Sequence, residues 1–209
     1  MTEAETLTIH VDRFAELFGD IELPEAKSLR QLQELIFKGT PRHVFNKYPI
    51  GLQFKLLGDV LETVAEADCH TLRLELAIPD YETLELLGNV LEPYSARSQI
   101  SSLILRCCYY FTPKWLPSSL IQSFANFHHL SELFIAPLPG LEELLKPLTQ
   151  LQSLSLVCQP YEENRWVGPN KLYISWPLIF AALPATLQTL VIHAVGFHIP
   201  LLKTFTDRL

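Results

Sequence analysis

Basic charge is the first thing in short supply. The 209-residue chain carries 16 lysines and arginines against 23 aspartates and glutamates, a formal net charge of −7. Binding a phosphate backbone calls for a basic stripe. None runs along this sequence, so a nucleic-acid partner is disfavoured. Long apolar runs are missing too: no stretch approaches the roughly 20 apolar residues that span a bilayer, and no membrane partner is expected. The opening residues Met1-Thr2-Glu3-Ala4-Glu5 are acidic where a secretory signal is basic. The expectation is a cytoplasmic protein, or one acting in a host cytosol if it is exported without a cleaved signal. Glycine is sparse, at 8 residues against 15 prolines, which suits a chain that turns often but needs few positive-φ positions. Cysteine is limited to Cys69, Cys107, Cys108 and Cys158. A domain of this length does not need disulfides, so four free thiols in a reducing compartment are expected.

Patterns for chemistry are also lacking. There is no G-x-S-x-G elbow, no H-E-x-x-H, no C-x-x-C and no phosphate-cradling G-x-x-x-x-G-K-[ST]. The adjacent pairs Cys69-His70, Cys107-Cys108 and His128-His129 do not have the two-to-four-residue spacing that lets two side chains share a zinc ion. No metal or other cofactor is expected. Glu62, Glu66 and Asp68 fall along one helix and its end and read as a solvated face rather than an acid–base pair. The distant enzymatic alternative is a cysteine-dependent one. It would use Cys108, but the sequence specifies no activating base, and a thiol bonding loop backbone is the plainer role.

What is present is apolar and periodic. Hydrophobic residues make up 48% of the chain and charged residues 19%, ample for a packed core. The pattern apolar-x-x-Leu-x-apolar recurs as Ala4–Leu7–Ile9, Leu32–Leu35–Phe37, Cys69–Leu72–Leu74 and Ile100–Leu103–Leu105. It continues as Leu130–Leu133–Ile135, Leu151–Leu154–Leu156 and Leu187–Leu190–Ile192. Each Leu-x-apolar core predicts a short strand, with alternate side chains on one buried face. Helical three- and four-residue spacing fills the intervals over 51–66, 81–91 and 118–127, with shorter candidates at 12–18, 141–148, 176–183 and 199–208. Prolines 41, 79, 137 and 160 follow the strands closely and, having no N–H to give a ladder, are expected to end them at one edge.

On these motifs the chain resembles the leucine-rich-repeat superfamily over nearly all of its length, most closely the ribonuclease-inhibitor and F-box-associated subtypes. The resemblance implies a single domain, residues 1–209. It would be an α/β solenoid of about seven irregular repeats, with a parallel sheet on the concave face and helices on the convex face. One departure is plain. The family carries Asn or Cys three residues after the second strand leucine; here Asp12, Thr40, Ala77, Cys108, Leu138, Gln159 and Val195 stand there, and only Cys108 is of that type.

The family resemblance further implies a protein partner on the concave sheet face, as for a ubiquitin-ligase receptor or an effector, with no catalysis. The outward position between the two inward residues of each strand is then Thr8, Ile36, Arg73, Ile104, Phe134, Ser155 or Val191. Ile104 and Phe134 are expected on adjacent strands, about 4.8 Å apart, as an apolar spot. Glu75 and Arg106 belong to its polar rim. Two aromatic loops add candidates: Tyr109 and Tyr110 after the fourth strand, and Tyr161, Arg165 and Trp166 after the sixth. Phe111 and Trp115 are expected to fold back over helix ends, while Arg165 and Trp166 form the preferred loop anchor. The competing function is structural self-association, a homodimer through one end, because neither terminal unit shows a polar cap.

Overall fold

A Leu-x-apolar triplet buries two side chains on one face only if a neighbouring strand takes up its backbone polar groups, so each strand needs the next. The computed structural model describes residues 6–10, 34–38, 50–67, 71–78, 81–95, 100–107, 115–157 and 174–193. Within them lie strands β1 Thr6–His10, β2 Glu34–Lys38, β3 Leu72–Ile78, β4 Ile100–Cys107, β5 Glu132–Ile135, β6 Ser153–Val157 and β7 Thr189–His193. They form one sheet in sequence order, and every neighbouring pair is parallel. A helix precedes each of the last five strands: α1 Ile50–Ala67, α2 Tyr81–Leu91, α3 Ser118–Phe124, α4 Leu141–Leu145 and α5 Trp176–Ala181. The chain is therefore an α/β protein whose strands β3 to β7 alternate with helices in an all-parallel sheet, continued at one edge by β2 and β1. The helices expected at 12–18 and 199–208 lie outside the described residues. Where prolines follow strands, β3 stops at Ile78 directly before Pro79, and β5 stops two residues before Pro137.

The inward strand residues make the core. Leu72, Leu74, Leu76 and Ile78 of β3, Leu103 and Leu105 of β4, Leu133 and Ile135 of β5, and Leu154 and Leu156 of β6 are all buried. They share one cluster with Leu57, Val60, Leu61 and Val64 of α1, Leu84, Leu87 and Leu91 of α2, Leu120 and Phe124 of α3, and Leu144 and Leu145 of α4. Each such aliphatic side chain contributes about 1.5–3 kcal/mol when fully buried. Lys55, Asp59 and Glu62 of α1 and Glu82 and Glu85 of α2 face water instead. The helices thus cover one side of the sheet.

Register departs from the sequence expectation at one place. Leu7, Leu35 and Leu72 stand opposite one another, and so do Leu103, Leu133, Leu154 and Leu190. Between the two sets the phase slips: Leu72 pairs with Ile100, and Leu103 pairs with Leu74. An irregularity after Leu72 leaves Ser101 with no register partner on β3, although its hydroxyl donates to the Leu72 carbonyl at 3.5 Å. The physical reason is the length of β3. It carries four inward apolar residues, two more than the motif requires, so a two-residue slide keeps every side chain on its own face. The slide holds from Arg73–Ser102 to Ile78–Cys107, and the extra residue, Ser101, turns Ile100 inward opposite Leu72 as a bulge does.

Entry into the strands is fixed by a stepwise set of backbone bonds. Ser131 N–H and hydroxyl both donate to the Ser101 carbonyl, at 2.9 and 3.0 Å. Gln152 and Ser153 N–H donate to the Ser131 carbonyl at 2.8 and 2.9 Å, and Gln188 and Thr189 N–H to the Gln152 carbonyl at the same two distances. Each strand's first turn is thereby hung on the one before it.

Gly140 is the glycine whose conformational freedom is used. It precedes α4 with φ of 87°, and among the described residues no other glycine has positive φ. An added Cβ would also meet the Trp115 ring at 3.2 Å. Gly140→Ala is expected to lower unfolding free energy by about 1–2 kcal/mol, the cost of a left-handed alanine. Urea denaturation would reveal it, and an unchanged midpoint would count against the conformation.

Candidate functional site

The sheet side opposite the helices carries the outward residues. Alternation places Arg73 and Glu75 of β3, Ser102, Ile104 and Arg106 of β4, and Glu132 and Phe134 of β5 there. Ser153 and Ser155 of β6, and Thr189, Val191 and His193 of β7, continue the same face. The register defines two rows across the strands. One runs Arg73, Ser102, Glu132, Ser153, Thr189; the other runs Glu75, Ile104, Phe134, Ser155, Val191. The slip between β3 and β4 corrects one expectation: Glu75, not Arg73, stands opposite Ile104.

Ile104 and Phe134 are direct neighbours on adjacent strands, and both are half-buried. Two ion pairs flank them. The Ser102 hydroxyl donates to Glu132 Oε2 at 2.6 Å, and Arg73 Nη2 reaches the same oxygen at 3.5 Å. Arg73 therefore spans β4 to reach β5. Ser102, although on the outward side, is buried because these two side chains close over it. On the other flank, Arg106 Nε donates to Glu75 Oε1 at 2.6 Å. The Arg106 guanidinium carbon also lies 5.5 Å from the centre of the Phe134 ring, within range of a cation–π contact worth about 0.5–1 kcal/mol at an exposed site. Both ion pairs are part-exposed, and pairs of that kind contribute about 0–1 kcal/mol each. They order the surface more than they hold the fold.

The remaining expected residues fall as follows. Ile36 is half-buried between Thr8 and Arg73 in the register, and Val191 is 46% exposed on β7. Tyr109, Tyr110, Tyr161, Arg165 and Trp166 lie outside the described residues, as do Phe111, Cys69, Cys108 and Cys158. Trp115 does meet a helix end: one ring edge lies against Gly140, the residue that caps the start of α4. It is nevertheless 62% exposed, and the Leu116 N–H bond to the Pro139 carbonyl at 2.9 Å holds its backbone beside that turn.

The link from Arg73 to Ser102 and Glu132 was not legible in the sequence. Residues 59 apart in the chain carry no local signal of contact. Among the described residues, no three His, Cys, Asp or Glu side chains gather as a metal ion would need. No described helix is long and apolar enough to cross a membrane. Tyr81, at the start of α2, has its phenol pushed above the ordinary 10.0 by burial, and then by the Glu85 and Glu82 carboxylates; it stays protonated at neutral pH, on the helix side.

What the architecture defines is a class: an α/β protein with a sequential, all-parallel sheet covered by helices on one side. Sequence comparison adds no narrower grouping, since the chain matches no protein-family model and no curated protein.

Proposed function

We propose that the chain is a leucine-rich-repeat solenoid that binds another protein on its open sheet face, without catalysis, as a substrate receptor or an effector does. Support for the solenoid is the strict sequence order of the strands and the helix before each of β3 to β7. Support for binding is the neighbouring pair Ile104 and Phe134, held half-exposed on the side that the described helices leave uncovered. A face that only met water would favour polar side chains at these two positions. Apolar patches rimmed by polar groups mark interaction sites more often than chance.

The test is a pulldown from the native host with the parent chain and with the double variant Phe134→Arg, Ile104→Glu. Two charges placed where the partner must bury apolar area are expected to cost at least about 3 kcal/mol, or a hundredfold in affinity. The far-ultraviolet circular dichroism should remain that of the parent. If every partner survives the double change, the face is not the binding surface.

A second reading, self-association through the β7 end, is favoured by one observation. Leu190 and Ile192 stand in register with the fully buried Leu154 and Leu156, yet are only half-buried. Light scattering at high concentration separates the two: a monomer speaks against the dimer and leaves the docking reading standing.

A further inference from the structure

We infer that the occupant of the open face is an uncharged polypeptide segment bearing apolar and aromatic side chains. This rests on the reading of that face as a docking surface and specifies what docks.

The chain's net charge of −7 would by itself suggest a basic partner, steered by long-range attraction. The face is built otherwise. Its described carboxylates on β3 to β5, Glu75 and Glu132, are each already engaged by an arginine, and Glu132 also by the Ser102 hydroxyl. A lysine or arginine arriving there would have to displace Arg106 or Arg73, exchanging one part-exposed ion pair for another with little gain. An incoming carboxylate meets the mirror problem, because both guanidiniums are committed, one of them also to the Phe134 ring. The four charges on β3 to β5 cancel. Beyond Phe134 toward β7 the row continues with the uncharged Ser155 and Val191, beside Ser153 and Thr189. What this strip still has to offer is the apolar area of Ile104, Phe134 and Val191 and the hydroxyls beside it. Complementarity with such a strip calls for an occupant that brings apolar surface and no charge. The attraction then comes from removing apolar area from water, which salt screens little.

Random twelve-residue peptides displayed on phage, selected on the immobilised full chain, provide the probe. Peptides that also bind Phe134→Ser are discarded. Ile104→Thr, which keeps the β-branch but removes apolar area from the same strip, serves as the second discriminator, and circular dichroism checks that both variants fold. The expected binders are rich in Leu, Phe and Trp and uncharged. Their affinity should change by less than about threefold between about 50 and 500 mM salt. Binders that need Phe134 or Ile104 but are rich in Lys and Arg, or in Asp and Glu, and weaken about tenfold or more over that range overturn the inference while leaving the face a docking site. A Phe134-dependent dimer in sedimentation makes a second copy the occupant and also overturns it. If no binder depends on either residue, the docking reading itself falls.

Discussion

Replacing Leu103 with alanine is expected to lower the unfolding free energy by about 2–5 kcal/mol, the range for truncating a well-packed core leucine. Leu103 is fully buried and stands between Leu74 and Leu133, which are equally buried on the adjoining strands. Both neighbours are held by parallel ladders, and β5 is further hung on β4 through the Ser131 bonds to the Ser101 carbonyl. The site therefore has little freedom to collapse into the space left behind, which places the cost in the middle of that range or above it. For a chain of this length each kcal/mol moves the melting temperature by about 2–4 °C, so thermal unfolding followed by circular dichroism should show a clear drop. Ser155→Ala, on the outward side of β6, provides the contrast and should stay within about 0.5 kcal/mol of the parent. Equal effects at the two positions would mean that the sheet has no buried and open side.

Gly88→Ala is the second large effect, and here the sign is the informative part. Alanine exceeds glycine by about 0.8–1 kcal/mol in a helix interior, so propensity alone predicts stabilisation of α2. The added Cβ, however, would come within 2.5 Å of the Leu120 nitrogen and the Ser119 Oγ, and 2.9 Å of the Ser119 carbonyl carbon. Most of these atoms are backbone of the next helix and cannot swing aside. The Gly88 carbonyl also accepts a 3.0 Å bond from the buried Ser123 hydroxyl, which fixes α2 against α3. Steric cost should prevail, with a net loss of about 1–3 kcal/mol, typical of overpacking. A gain in stability on guanidinium unfolding would show that the two helices do not meet this closely.

The spacing of leucines carried most of the fold. Inward alternation at Leu72–Leu74, Leu103–Leu105, Leu133–Ile135 and Leu154–Leu156 is a local property of the chain, and so are the helical steps over residues 54–64 and 84–91. Both survive folding because burial rewards the same residues that the pattern selects. The sparse glycine content likewise agrees with Gly140 as the single described positive-φ glycine. The register across β3 and β4 was not legible. The sequence offers β3 two equivalent alignments, since Leu72, Leu74, Leu76 and Ile78 all suit the buried side, and local spacing cannot choose between them. The folded chain takes the alignment that sets Leu74 against Leu103, and the bulge at Ser101 only brings Ile100 opposite Leu72.

That slip also explains what was missed in the candidate site. Reading the strands in unbroken phase puts Arg73 opposite Ile104 and gives the apolar pair a cationic neighbour. In the folded chain Arg73 faces Ser102 and turns to Glu132, while Glu75 faces Ile104 and holds Arg106. The adjacency of Ile104 and Phe134 needed only the spacing within β4 and β5, so it could be anticipated. The charge pairing needed contacts spanning 31 and 59 residues of chain, which no sequence window contains. Which helix end Trp115 would meet was hidden for a related reason: its place beside Gly140 is set by the backbone bond from Leu116 to the distant Pro139.

Photo-crosslinking from single positions tests the central claim most directly. A benzophenone side chain is placed at Ser155 or Val191 on the open sheet face, and in separate chains at the exposed Glu85 of α2 or Gln122 of α3 on the helix side. Each chain is then irradiated in the native host. The account predicts protein adducts from positions 155 and 191, reduced when Phe134→Arg is added, and few from 85 and 122. Adducts formed only from the helix-side positions, indifferent to Phe134, would contradict it.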